Sequence, residues 1–370
     1  MSVRTVTGHV MVGAAVFSAV LGGLLAFDIA PGLKVLPTHE WIHTVARATD
    51  ASYLDETNGQ EVTGATVVNT TSVAGDPSQA GAPSGSVLWQ SKGAVMAFAP
   101  APCGATGVDV ATSGCPLNFI SETVALDKHT GLGVQWKGNA LSDLTTQSAS
   151  DPSTPVDYAG AVVWKFPFNT KKTTYQYYDP ALGYATPMHY TATTSLNGRT
   201  VYEFVQTIAP TKIFTTMVPN AYVGSSVPGS TFAPITYADV RTVWVEPTSG
   251  IPVKETDAVD QEIANPANPT VGVTPTLKGD FTIDQLQATN SKGGAEYNAD
   301  GSPRLVDYTA GQFTVADRAN QVVLLEQTLP IVFGSLAVVL AAGGAYLSLT
   351  GRRPEDEGGS ESTSEELAEV

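Results

Sequence analysis

Charge is scarce in this chain of 370 residues, and basic charge scarcest: 15% of positions are charged, with 19 Lys and Arg against 35 Asp and Glu. Seven of the acids lie in residues 354–370, which hold no base, so the remainder carries −9 of the formal −16. No basic stripe exists to neutralise phosphates, which excludes a nucleic-acid partner. No G-x-S-x-G elbow and no P-loop occurs, so two common routes to catalysis are missing. There are only two cysteines, Cys103 and Cys115, in CGATGVDVATSGC, with no histidine at metal-ligand spacing. A disulfide is the natural reading, with two free thiols as the alternative. On the chain-entropy model such a loop adds about 3 kcal/mol.

What the chain has instead is Gly, Pro, Ser and Thr, which suit strands and turns, and two long apolar runs. Residues 10–27 (VMVGAAVFSAVLGGLLAF) and 330–349 (PIVFGSLAVVLAAGGAYLSL) are uncharged and long enough to cross a bilayer at about 1.5 Å per residue. A cleaved signal peptide is the other reading of the first run, but Asp28 stands where a small residue is wanted and Pro31 follows. Arg4 precedes the first run, and Arg352 and Arg353 follow the second, so the positive-inside rule puts both termini in the cytoplasm. Small residues recur along both runs: Gly22 and Gly23 fall at the depth of Gly334, and Gly13 and Ala14 near that of Gly343 and Gly344. Such positions let two helices approach closely. The expected layout is a cytoplasmic 1–9, a span over 10–29, an external β domain over 34–326, a span over 330–349, and an acidic disordered tail over 350–370.

Between the runs one device recurs: an acid opens a turn and a glycine four residues later closes it. It occurs in YLDETNGQEV, VALDKHTGLGVQW, YYDPALGYA and VWVEPTSGIPVK, and it reads as a hairpin in which Gly supplies positive φ. Asn197 and Gly198 signal a tighter type I′ turn. Residues 65–85 and 142–155 are rich in Ser, Thr, Gly and Pro without periodicity, and read as loops. The fold class expected is mainly β, a large antiparallel ectodomain between N- and C-terminal transmembrane helices.

The segments SETVALDKHTGLGVQWKGN, VVWKFPFNTKKTTYQYYDP and TVWVEPTSGIPVKE, followed by a C-terminal apolar run, resemble the actinobacterial membrane-anchored family known as porin PorA and as domain of unknown function 3068. The resemblance runs in order over most of the chain and centres on KFPF-x-T-x-K-x-Y. It implies an envelope protein concerned with polar growth and with moving trehalose monomycolate across the periplasm, beside a flippase of the mycolate-exporter class. This chain departs from many relatives in having Val134, Gln135 and Trp136 where they place cysteines, and Cys103 and Cys115 in an apparent insertion.

Two stretches are candidates for a site. In THEWIHT, His39, Glu40 and His43 make an H-E-x-x-H pattern, which on a helix sets two imidazoles on one face for zinc with the carboxylate as general base. Ala46 and Thr49 stand where a metzincin would continue with Gly and His, and a structural or membrane-interface role for Trp41 and its neighbours is the competing reading. His9, His129 and His189 are scattered. Residues 162–180 pack six aromatic rings and three lysines into nineteen positions. One reading makes Trp164, Phe166, Phe168, Tyr175 and Tyr177 the buried face of a strand pair. The other has those rings line a cavity, with Lys165, Lys171 and Lys172 at its mouth to meet polar headgroups. The expectation is a two-pass envelope protein without catalysis or cofactor, whose β domain binds or hands on a lipid or glycolipid together with a membrane transporter. The rivals are a structural scaffold, a porin-like channel and a zinc hydrolase.

Overall fold

The structure, a computed structural model, describes residues 3–26, 35–39, 41–55, 58–76, 78–98, 115–143, 154–288, 296–298, 304–323 and 328–350. Cys103, Glu40 and the acidic tail lie outside these, and with Cys103 the expected disulfide to Cys115. The chain forms two compact units, residues 34–321 and residues 1–33 with 322–370.

The larger unit is one antiparallel sheet. Its strands in chain order are β1 (Trp41–Asp55), β2 (Gln60–Gly75), β3 (Ser86–Phe98), β4 (Cys115–Asp127), β5 (Ala140–Asp143), β6 (Thr154–Pro155), β7 (Tyr175–Asp179), β8 (Tyr184–Leu196), β9 (Arg199–Pro219), β10 (Ser230–Glu246), β11 (Ile251–Asn265), β12 (Asn268–Gln287) and β13 (Leu305–Asp307). In space the order is β6-β5-β4-β3-β2-β1-β12-β11-β10-β9-β8-β7, with β13 beside β12. Nearly every neighbour is therefore a hairpin partner, and only β1 against β12 joins distant segments. The mainly β, antiparallel expectation holds. The loop expected over 65–85 does not: residues up to Gly75 extend β2, because Val67 and Val73 bury one face while Thr70 and Ser72 between them take the other.

All four acid-to-glycine turns form, each closed by a bond from the glycine N–H to the acid's carbonyl: Gly59 to Asp55 at 2.7 Å, and Gly131 to Asp127, Gly183 to Asp179 and Gly250 to Glu246 at 2.9 Å. The acid side chains then take up the turn amides. Asp127 Oδ1 accepts from the amides of His129 and Thr130, Asp179 Oδ1 from those of Ala181 and Leu182, and Glu246 from those of Thr248 and Ser249. Asn197 and Gly198 both have positive φ, as the type I′ turn requires.

Helix α2 (Tyr308–Val323) starts where Asp307 Oδ1 accepts from the Ala310 amide. Its Phe313 and Ala316 pack with Val201, Ile251 and Val253 in one buried cluster.

In the smaller unit, α1 (Val3–Leu24) packs antiparallel against α3 (Leu329–Thr350). Leu329–Leu347 is long and apolar enough to cross a membrane; the apolar part of α1, Val10–Leu24, is shorter. At the level of Gly22, Gly23 and Gly334 the helices do not meet glycine to glycine as the spacing suggests. A Cβ on Gly22 would lie 3.3 Å from Phe333 Cβ, and one on Gly343 would lie 2.8 Å from Met11 Cε, while Gly23 and Gly334 have no described atom within 4 Å. Each contacting glycine accommodates a bulky side chain of the other helix, a half-turn from the pairing that depth alone proposes.

The turn glycines differ in what surrounds them, and this sets their tolerance. Gly183 (φ 74°) faces open space, so Gly183→Ala should cost only the backbone term, about 1 kcal/mol. At Gly250 (φ 75°) a Cβ would collide with the carbonyls of Phe166 and Pro167, so Gly250→Ala should cost at least about 3 kcal/mol. Thermal unfolding of the two variants in detergent measures the difference, and equal losses would contradict it.

Candidate functional site

The ladder registers assign each strand a face. Thr44, Ala46 and Ala48 of β1 pair with Thr71, Asn69 and Val67 of β2, which pair in turn with Gly93, Val95 and Ala97 of β3. Ser91 and Gly93 pair with Glu122 and Ile120 of β4. On the other limb, Gln206 and Phe204 pair with Arg241 and Val243, and Arg241 and Asp239 with Asp257 and Val259. This continuous inner face carries the apolar clusters, whereas the outer face carries charge at mid-height, as in the pairs Lys278 with Asp260 and Arg47 with Asp284.

Toward the ends of the strands where Asp127, Glu246 and Ile251 lie, the inner face is filled. Residues 158–166 and β7 run between the two limbs and bury rings against both. Tyr158, Ala161, Val163 and Tyr178 join Trp89, Val124 and Leu126 in one cluster, while Val162, Phe166 and Tyr177 join Met188, Phe204, Val243 and Val245 in another. Adjacent residues thus serve opposite limbs, as an extended chain allows. Hydrogen bonds knit the filling to both. Val162 N donates to Gln176 O at 2.8 Å and Tyr178 N to Val162 O at 2.9 Å; on the other side Gly133 N donates to Ala161 O at 2.8 Å and Val134 N to Ala125 O at 2.9 Å. The two limbs are thereby joined across β4 and β7.

Beside the rings lies a charged layer. Arg241 Nε donates to Asp257 Oδ1 at 2.7 Å, and its guanidinium is 3.5 Å from Asp179, 3.5 Å from Glu255 and 3.7 Å from Asp239. Asp179 and Asp239 are buried, and neither oxygen of Asp239 has a hydrogen-bond partner among the described residues. Four carboxylates around one cation cannot all ionise in a buried setting. Burial above all pushes Asp239 up to about 7, with Asp257 and Asp179 adding and Arg241 opposing. Burial, with Asp257 adding, pushes Glu255 up to about 8. On the facing limb Glu122, raised by burial, accepts from Ser91 Oγ at 2.9 Å and Tyr158 Oη at 3.1 Å.

Past this layer the inner face opens. Val62, Val95, Leu117, Val259, Leu277 and Ile283 pack on the cluster of Ala48, Ala51, Tyr53, Ala65, Val67 and Phe281 but remain half-buried. Ile120 is likewise half-buried, and Phe214, which shares a face with Ile235 opposite it, is 50% exposed. Small residues, Ala48, Ala51 and Ala65, stand on this part of the face where rings stand at the other end, and the apolar residues around them stay half-exposed beyond the Arg241 layer.

Residues 162–180, with their rings and lysines, bury Phe166 and Tyr177 as one reading expects, but not as the strand pair it draws. Residues 164–170 form no strand: the chain turns at Phe168 and Asn169, whose φ is 54°. Phe166 and Tyr177 are core, Tyr175 meets Phe166 edge-on at 5.3 Å, and Trp164 stacks on Trp89 at 6.1 Å. Lys165 Nζ donates to Phe166 O and sits 3.6 Å over the Phe168 ring; burial pushes its amine down to about 7, with Glu246 opposing. Lys172 lies over Tyr202 and Tyr190 at 5.0 and 5.7 Å, and Lys171 is exposed. The half-exposed apolar face was missed because its members are spread over six strands, at most two to a strand, without a local run to betray them.

The H-E-x-x-H pattern is corrected outright. His43 lies in β1, where alternation carries residues three or four apart along a ribbon instead of onto one helical face, and its Nδ1 is 2.7 Å from Ser72 Oγ. Trp41 Nε1 donates to Gln287 Oε1 at 3.1 Å within the sheet. No group of three metal-binding side chains occurs among the described residues.

An antiparallel β unit joined to an apolar helix pair is the architecture of a membrane-associated envelope protein. The chain belongs to the Porin PorA family, whose sequence pattern matches residues 7–346. No curated protein matches it.

The charged layer makes a pH-dependent contribution of definite sign. Asp239 and Glu255 bind protons more tightly folded than unfolded, so they favour the fold fully below about pH 4 and lose that contribution as pH rises toward 7 and 8. Asp239→Asn should therefore raise the unfolding temperature at pH 8 and leave it nearly unchanged at pH 4.5. A uniform shift at both values would show that Asp239 is ionised throughout.

Proposed function

We propose that this is a two-pass envelope protein whose β unit carries the acyl chain of an amphiphile on its half-open inner face. The observation supporting this is the inner face past the charged layer, where Val95, Ile120, Val259, Leu277 and Ile283 stay half-buried around a floor of small residues. Burying each methylene of a bound chain there is worth about 0.8 kcal/mol, so a long chain is held without covalent chemistry. The buried carboxylates and Tyr237 at the floor favour a headgroup rich in hydroxyls, consistent with a glycolipid, and a membrane transporter is the partner expected to load or unload it. Both apolar helices serve as anchors in this reading, with the termini in the cytoplasm, and the protein performs no catalysis. Residues 162–180, including Lys165, Lys171 and Lys172, then support the site from behind.

The family's name favours a second reading, a channel. A lipid-exposed barrel wall would need an apolar outer band, but charged pairs occupy that face, and the rings of Tyr158, Phe166, Tyr177 and Phe204 fill the space a pore would use. Conductance across planar bilayers would restore the channel.

Mass spectrometry of lipid co-purified with the full chain tests the primary reading. Ile120→Asp should reduce bound lipid at least tenfold, while Phe168→Asp leaves it unchanged. The reverse pattern would move the site to residues 162–180, and no bound lipid in the parent protein would end the proposal. Protease added outside spheroplasts should digest the β unit and spare a C-terminal epitope; loss of that epitope would overturn the two-pass arrangement.

A further inference from the structure

The hairpins β9–β10 and β11–β12 stand side by side and end away from the filled part of the sheet, which also receives Leu36 and the start of α2. Their tips are unlike the rest of the unit. Residues 213–238 contain no charged side chain over 26 positions, and residues 263–277 none over 15. The tips also present large apolar groups to solvent. Met217 and Phe232 face each other across the β9–β10 ladder and are 61% and 64% exposed; Val227 in the connecting loop is 64% exposed, and Val271 and Val273 on β12 are 50% and 39% exposed. The inward side of the same hairpin is packed, with Val218, Ala233 and Ile235 buried, so the exposed set is a second apolar face.

The tips are also held in shape. Asn220 N donates to Gly229 O at 2.9 Å and Asn220 Nδ2 to Val227 O at 3.1 Å, and Thr274 Oγ1 donates to Tyr222 O at 2.9 Å, tying one hairpin to the other. Backbone groups paired in this way tolerate an apolar medium.

We infer that these paired tips dip into a lipid surface, where Met217, Val227, Phe232, Val271 and Val273 meet the acyl boundary. The charge pattern selects this occupant. A protein partner's interface has an apolar core but a polar, charged rim, whereas the part of a segment that reaches the acyl boundary carries no charge; the sequence of both tips carries none, and Glu262, against Gly272, marks the level at which charge begins. Ser, Thr and Asn, which fill the rest of the tips, suit the headgroup level. The inference rests in part on the proposed function, because the half-open inner face with its exposed Phe214 lies on the same hairpin, so that an amphiphile could pass between membrane and face without crossing water.

The test uses the full chain reconstituted in nanodiscs, mixed with protein-free vesicles of phosphatidylcholine and phosphatidylglycerol and separated by flotation. The parent protein should float with the vesicles. Met217→Asp with Phe232→Asp should reduce flotation at least fivefold, Val227→Asp alone should weaken it, and Val240→Asp, an exposed position on β10 away from the tips, should leave it intact. Circular dichroism checks that each variant is folded, and the single loop variant keeps the test decisive should the double variant unfold. Lipid bound per protein is measured on the same samples: tip variants that keep their bound lipid but lose flotation support the inference separately from the carrier reading. Absence of flotation by the parent protein, unchanged flotation by folded tip variants, or nanodisc pairing through the tips in place of vesicle binding would overturn it.

Discussion

The β unit is organised around one buried carboxylate. Asp179 is fully buried, and its two oxygens do different work: Oδ1 closes the turn after β7 by accepting from Ala181 and Leu182, and Oδ2 accepts from Tyr237 at 3.1 Å and faces Arg241 at 3.5 Å. The first fixes the end of the segment that fills the sheet, and the second ties that end to β10. Removing the carboxylate would leave both turn amides and the buried Tyr237 hydroxyl without that acceptor, the kind of loss that costs several kcal/mol. The ring packing on either side depends on it, since Tyr177 and Tyr178 reach opposite limbs only while β7 is held between them.

That arrangement divides the inner face into three zones with different chemistry. Large rings fill one end, the Arg241 layer crosses the middle, and small residues leave the rest open. A single sheet with a uniform inner face would either pack solid or remain a tube. Here the width is set by residue size, Tyr and Phe against Ala48, Ala51 and Ala65, and the boundary by charge. The filled end and the charged exterior are the two features on which the proposed carrier differs from a pore.

Local devices were legible in the sequence, and tertiary ones were not. The acid-to-glycine turns announced themselves because every participant lies within five residues, and the C-terminal apolar run because length and composition signal a helix able to cross a membrane. The stretch from Trp164 to Phe168 looked like an alternating strand, yet Pro167 and the turn at Asn169 break the ladder, and the alternation reflects two burial environments instead of two faces of a sheet. His39 to His43 showed a helical metal spacing that strand geometry voids. The charged layer draws Asp179, Asp239, Arg241, Glu255 and Asp257 from three strands, and no spacing rule anticipates that Asp239 would share the buried Arg241 guanidinium with Asp179.

The central claim is that the inner face is open at one end and filled at the other. Single cysteines at Ile120→Cys and Phe204→Cys, each in a chain carrying Cys103→Ser and Cys115→Ser, report this directly through their rates of maleimide labelling in a bilayer. The account expects rapid labelling at position 120, slowed by an added long-chain amphiphile, and labelling at position 204 only after denaturation. Rapid labelling at both positions, indifferent to amphiphile, would describe a water-filled passage and contradict it.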